Sequence, residues 1–365
     1  MNKRILIYRL GSLGDTLAAL PALKLVARAF PDAERWMLTN FSVSAKAAPM
    51  AAVLADMGLV HGYIEYPIGM RSPRALWALR TRLRASGADT LVYLTASRGR
   101  WRTWRDALFF RACGIRRLVG VPYRNDQREV RRLTDGLHEY EGARLARCVS
   151  ALGDARIDDP ASYDLALTAD EIGQADRALS ALHGRRLINV SIGTKADARD
   201  WEDARWRPLL DRLASRYPDA GLVLDGARSE FGRCEALAVS WAGRYVNLCG
   251  TLSVRASAAA LMRSDVFIGH NSGPMHLAAA VGTRCVAIFA SNYRPGEWFP
   301  HGQGHHVLYT RIACEGCRLD VCVEKNKACI RSISVAAVEQ AVAEVVDAAQ
   351  DPVKVQQHAQ CQERS

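Results

Sequence analysis

Apolar positions along the chain fall into short continuous runs, separated by longer stretches in which they recur every three or four residues. The first run, Arg4–Tyr8, predicts a strand; it ends at Arg9 and the glycine-bearing turn Gly11-Ser12-Leu13-Gly14-Asp15. Leu17, Leu20, Leu23, Leu25, Val26 and Phe30 then share one broad helical face. Pro21 must kink that helix or mark its first regular turn. Further short strands are expected at 36–39, 90–95 and 118–121, with Ala/Leu/Arg-rich helical segments between them. Such alternation implies a parallel sheet covered on both faces.

Between Gly153 and Gly184 the chain turns polar and carries Asp158-Asp159-Pro160, which places a boundary near residue 170. A second series of buried-strand runs follows at 187–192, 221–224, 245–248, 266–269 and 285–289, each except the last followed by a helical pattern. The expected architecture is α/β, with two Rossmann-like domains facing across a cleft, residues 1–170 and 171–350. Ligand would lie at the strand C-termini. The length, 365 residues, exceeds one comfortable core and agrees with two domains. Residues 334–349 read as a final amphipathic helix capped by Ser332 or Ser334, and 351–365 as a polar tail.

Charge adds a partner class. Lys and Arg number 49 against 38 acids, a net +11, which favours an anionic partner without saying which. No run reaches the roughly 18 apolar residues of a spanning helix. The basic N-terminus lacks a signal-peptide core, so a cytoplasmic location is expected. Six cysteines, Cys113, Cys148, Cys234, Cys249, Cys285 and Cys361, are scattered and read as buried thiols.

Four places carry candidate chemistry. His270-Asn271-Ser272-Gly273-Pro274-Met275-His276 follows a strand and opens an apolar helix, with Ser272 suited to the N-cap and Pro274 to the first turn. Backbone N–H groups at such a start, with Gly273 permitting close approach, suit a diphosphate or simply a well-capped helix. Asp15 follows the first strand on a loop, where a carboxylate can accept a proton from an attacking hydroxyl or favour a helix start. Thr194, Lys195 and Arg199 share a loop after the first strand of the second domain, where two cations can hold leaving phosphates or stay solvated. Glu230 opens a helix after the next strand and suits ribose hydroxyls, or caps the helix.

Together these pieces resemble glycosyltransferase family 9, the ADP-heptose:lipopolysaccharide heptosyltransferases. Residues 5–25, 193–201, 226–230 and 272–282 match its motifs in order, the last (Ser-Gly-Pro-Met-His-Leu-Ala-Ala-Ala-Val-Gly) most specifically. The resemblance implies a GT-B, metal-independent, inverting enzyme that moves heptose from ADP-heptose to a lipopolysaccharide core. Asp15 would be the base, and Lys195 and Arg199 would stabilise departing ADP. Gly14, Thr194, Glu230, Asn271, Ser272, Gly273, Pro274, Met275 and His276 would bind the donor. Two departures stand out. Arg199 replaces the usual lysine two places before the tryptophan, which keeps charge but does not readily give up a proton. Asn271 replaces the usual Asp, which keeps an acceptor oxygen, adds a donor and loses charge. The alternative within the family is another nucleotide sugar, or a protein (autotransporter) acceptor.

Two features stand outside those motifs. Cys314, Cys317, Cys322 and Cys329 are spaced C-x2-C-x4-C-x6-C and read as a structural element, with structural zinc or iron as the alternative. No other cofactor is expected. Residues 98–132 hold eleven Arg against three acids, interleaved with Trp101, Trp104, Phe109, Phe110 and Tyr123. That stretch fits a nucleic-acid face, a solvated helix over buried aromatics, or peripheral contact with anionic glycolipid at the inner membrane. The last agrees with the resemblance, and no nucleic-acid module accompanies the stretch.

Overall fold

A computed structural model describes residues 4–40, 50–67, 72–96 and 98–348. The expected tail 351–365, with Cys361, lies outside the described residues. Two compact units emerge. One takes the described residues up to Ala166 together with Gly296–Trp298; the other takes Leu167–Pro295 and those from Phe299 onward. The division is thus not a single cut. Gly296–Trp298 returns to the first unit, where Glu141 N–H donates to the Glu297 carbonyl at 2.9 Å.

The first unit is a five-stranded parallel sheet: β1 Arg4–Tyr8, β2 Glu34–Thr39, β3 Gly62–Glu65, β4 Thr90–Tyr93 and β5 Arg117–Val119, ordered β3-β2-β1-β4-β5. Central β1 pairs on both sides, Ile7 standing opposite Met37 and Val92. Continuous apolar runs are what a strand buried on two faces requires. One face packs Leu6, Tyr8, Leu91 and Tyr93 against Leu79, Leu83 and Phe110 of helices Pro73–Ala85 and Arg100–Ala112. Each such buried side chain contributes about 1.5–3 kcal/mol.

The second unit has six parallel strands: β6 Leu187–Ser191, β7 Gly221–Leu224, β8 Tyr245–Asn247, β9 Val266–His270, β10 Cys285–Phe289 and β11 His306–Tyr309, ordered β11-β10-β9-β6-β7-β8. Trp201, Trp206 and Trp241 fill one face, against Val190, Ile268 and Val342. Both orders are Rossmann-like, with direction reversing between β1 and β4 in one sheet and between β6 and β9 in the other. Ligands bind such sheets beyond the strand C-termini at that reversal.

Several local expectations change. The 17–30 helix is two, Leu13–Ala18 and Leu20–Ala29, with Pro21 in the second's first turn, where its missing N–H costs nothing. Edge strands β3 and β11 were not expected. The final helix is Val335–Ala348, and the Ser334 hydroxyl accepts from Ala337 N–H at 3.1 Å, which makes Ser334 its cap.

Candidate functional site

At the reversal of the first sheet, Asp15 is not on a loop as expected. It is the third residue of helix Leu13–Ala18, and Gly14 is the second. Ser12 supplies the extended N-cap, and Asp15 Oδ2 accepts from Ser12 N–H at 2.9 Å and from the Ser12 hydroxyl at 3.2 Å. Gly11 has φ +141°, and a Cβ there would overlap the Asp15 side chain, so the turn needs glycine. Leu10 N–H donates to Thr95 Oγ1 at 3.1 Å, which ties this turn to the end of β4.

Beneath Asp15 lies a fully buried Arg9. It donates to the Leu94 carbonyl at 2.6 Å and to the Asp15 carbonyl, and it sits 3.6 Å from Asp15 Oδ1. Burial pulls its guanidinium below the usual range, opposed by the charges of Asp15 and Glu141. Glu141 and Arg144 form a second buried pair at 2.6 Å, and Arg144 donates to the Thr95 carbonyl at 3.2 Å. Asp15 is therefore held between a capping interaction and a buried cation. In the sequence Arg9 is only a break in an apolar run; a charge directly after the buried strand residues Ile5–Tyr8 is the one signal of the buried pair.

At the second reversal, three loops converge from β6, β7 and β9. Glu230 ends a single helical turn, Arg228–Glu230, and accepts from Ala227 N–H at 2.8 Å. Its carboxylate lies against Gly193 and Gly226: a Cβ on either would come inside 3.0 Å of it. Arg199, in the turn Asp197–Arg199, donates to the Asn271 carbonyl at 3.5 Å and stands over the Tyr293 ring at 5.7 Å. Lys195 is exposed on the same loop, and Thr194 Oγ1 bonds Ala196 N–H at 3.4 Å.

Helix Gly273–Ala280 begins where the motif placed it, with Ser272 extended at the N-cap and Gly273 and Pro274 opening the first turn. The Ser272 hydroxyl makes no capping bond. Asn271, Met275 and His276 are buried, so Met275 and His276 support the turn from within. His270 Nε2 accepts from Trp201 N–H at 3.0 Å, and burial pushes this histidine down to about 4, so it is neutral near pH 7.

The structure thus brings Arg199 to Asn271 and Glu230 to Gly193. Two supporting features were missed. Asp225, at the end of β7, is buried and pushed up to about 7 by desolvation. Lys327 Nζ bridges Asp197 Oδ1 and Glu202 Oε1, each at 3.0 Å, and so ties the start of the Arg199 turn to the cap of the helix Asp203–Arg216 that follows it. Glu202 and Lys327 both adopt left-handed backbone, φ +72° and +54°, conformations that the bridge helps hold. With Arg331 adding a bond at 2.7 Å, the Glu202 carboxyl is held down to about 2.

Lys327 belongs to the cysteine-rich segment. There Cys314 and Cys322 are half-buried, Cys317 is exposed and Cys329 is buried. Among the described residues no three Cys, His, Asp or Glu side chains are grouped to hold a metal ion. The segment braces the Asp197–Arg199 turn, with Ala198 N–H donating to the Asp320 carbonyl at 2.9 Å. Cys113, Cys148, Cys234, Cys249 and Cys285 are buried free thiols, as expected.

Comparison with known proteins supplies the family. The model of glycosyltransferase family 9 (heptosyltransferase) matches residues 76–328. Lipooligosaccharide heptosyltransferase 2 of Campylobacter jejuni is 29% identical over 157 residues, 41% of this chain and 48% of that protein, so the match spans about half the relative's length. Among solved structures, a family 9 glycosyltransferase of Veillonella parvula superposes with a TM-score of 0.70 at 19% identity, covering 94% of this chain and 97% of that one. The ADP-heptose lps heptosyltransferase II of E. coli gives 0.64 at 17% identity, covering 95% of this chain and 100% of that one. These likenesses bear out the expected GT-B type of fold, two parallel α/β sheets. The chain belongs to glycosyltransferase family 9, the heptosyltransferase family.

Proposed function

We propose that this chain is an inverting heptosyltransferase that moves heptose from ADP-heptose to a lipopolysaccharide or lipooligosaccharide core acceptor. The observation that carries the reading is the position of the candidates at strand-order reversals. Asp15 lies at one, and Arg199, Glu230 and the Ser272 helix start lie at the other. Family membership and the names of the relatives support the sugar.

In this mechanism the first unit binds the acceptor and the second the donor. Asp15 takes the proton of the acceptor hydroxyl while its oxygen attacks the anomeric carbon. The new C–O bond forms as the bond to phosphate breaks, and ADP leaves with the electron pair. Lys195 and Arg199 and the N–H groups at the start of helix Gly273–Ala280 neutralise its growing charge. Glu230 accepts from the ribose hydroxyls. Asn271 faces the sugar, where its amide replaces a carboxylate contact.

A calorimetric panel of ADP-, UDP- and GDP-sugars, followed by transfer to core lipid, tests this. Selective binding of ADP-heptose is expected. Selective response to a UDP- or GDP-sugar would overturn the donor assignment.

A further inference from the structure

Helices Pro73–Ala85 and Arg100–Ala112 pack on the same face of the first sheet, joined where Arg80 Nε donates to the Ala112 carbonyl at 3.2 Å. Their inner faces are ordinary core. Their outer faces are not: Leu76, Trp77, Trp101, Trp104 and Leu108 are exposed, Trp77 by 65% and Trp101 by 81%. Tyr123 extends the patch, its ring 4.8 Å from that of Trp104. The two helices carry eight arginines and one acid, Asp106. That acid is buried and already paired with Arg98 and Arg105, so no acid of these two helices offsets the charge on their outer faces. Single exposed apolar residues mean little, but three exposed tryptophans on two adjoining, arginine-rich helices call for a partner that is apolar inside and anionic at its edge.

We propose that this two-helix face is a docking surface for an anionic lipid bilayer. Trp77, Trp101 and Leu108 enter the headgroup boundary while arginines such as Arg74, Arg100 and Arg102 meet the phosphates. Among the described residues no helix is long and apolar enough to cross a membrane, so the contact is one of lying on the surface. Helix Arg100–Ala112 starts beyond the C-terminal end of β4, the same sheet edge on which Thr95 meets the turn that carries Asp15. Docking through its first turn presents that edge to a lipid-borne hydroxyl. The inference rests on the glycolipid reading for the identity of the acceptor, but the contact itself needs no sugar.

The test is co-sedimentation of the full chain with phosphatidylethanolamine/phosphatidylglycerol vesicles free of lipopolysaccharide, against phosphatidylcholine vesicles, at low and high salt. Binding is expected on the anionic vesicles and should weaken with salt. Trp77→Ala/Trp101→Ala should lower partitioning by about a hundredfold. Arg100→Gln/Arg102→Gln should lower it by about twenty- to thirtyfold at low salt and little at high salt. Brominated lipid should quench the fluorescence of the unmodified protein, a readout that depends on no variant. Several outcomes would overturn the proposal: no vesicle binding, equal binding to phosphatidylcholine, or no effect of the Trp pair. The same holds if RNA is captured in place of vesicles, or if the Trp pair merely dissociates an oligomer. Vesicle binding without transfer from any ADP-sugar would leave the surface standing and sink the donor reading; transfer without vesicle binding would do the reverse.

Discussion

Gly193→Ala tests the proposed ribose-binding role of Glu230. Gly193 has no left-handed φ, so alanine meets no backbone penalty there, and the nearest obstacle to its methyl group is the Glu230 carboxylate. Oε1, Cδ and Oε2 of that residue would all lie inside 3.0 Å of the new Cβ, so the carboxylate must swing away. Swinging abandons the 2.8 Å bond from Ala227 N–H. On a half-buried turn, losing that bond should cost about 1 kcal/mol of stability. The functional cost is larger, because a charged acceptor withdrawn from the ribose forfeits about 1.5–3 kcal/mol, or roughly ten- to a hundredfold in donor affinity. Calorimetric titration with ADP, alongside thermal unfolding, separates the two. The same substitution in a Glu230→Ala background should cost little further affinity, since its target is already gone. Unchanged ADP affinity in Gly193→Ala, or equal losses in both backgrounds, would refute the ribose role.

Other expectations follow from the supporting residues. Asp225 is raised from 3.8 to about 7, so the native state holds its proton more tightly than the unfolded chain does. Its stability contribution is present at low pH and lost as pH climbs to about 7, at most about 4 kcal/mol. His270 is lowered from 6.5 to about 4, so its contribution is present above 6.5 and lost as pH falls, which opposes Asp225 over the shared range. Asp225→Asn should therefore gain on the parent protein at alkaline pH and unfold more steeply toward acid; parallel Tm profiles would contradict this. Lys327→Met keeps the stem but removes the bridge from Asp197 to Glu202. It should cost about 1–3 kcal/mol and raise KM for donor more than it lowers kcat; an unchanged KM would remove Lys327 as a positioning residue. Protein purified under reducing, chelator-free conditions should contain no stoichiometric zinc or iron, and one metal per chain by elemental analysis would show the cysteine segment acting as a ligand set.

Much of the fold was legible because strands buried on both faces must be continuously apolar, as in Ile5–Leu6–Ile7 and Val266–Phe267–Ile268. The two missed strands are edges. β3 has one buried residue of four and β11 none, so neither leaves an apolar run to read. The motif around Ser272 was readable because capping and helix-start preferences are local. Arg9, Asp225 and Lys327 were not, because their roles come from burial and from partners as distant as the 130 positions between Lys327 and Asp197. For Asp15 the sequence shows the neighbouring strand but not the helix that holds it, since its answering bond to Ser12 depends on where that helix starts.

In the proposed mechanism Asp15 deprotonates an acceptor hydroxyl for inverting transfer from ADP-heptose. The direct measurement is transfer by the parent protein and by Asp15→Asn, with ADP-heptose and core acceptor, the product's anomeric configuration read by NMR and ADP affinity measured in parallel. Inverted product is expected from the parent protein. A loss of roughly a thousandfold or more is expected in the variant, with ADP binding nearly unchanged. Retained configuration, or a fully active Asp15→Asn, would contradict that mechanism.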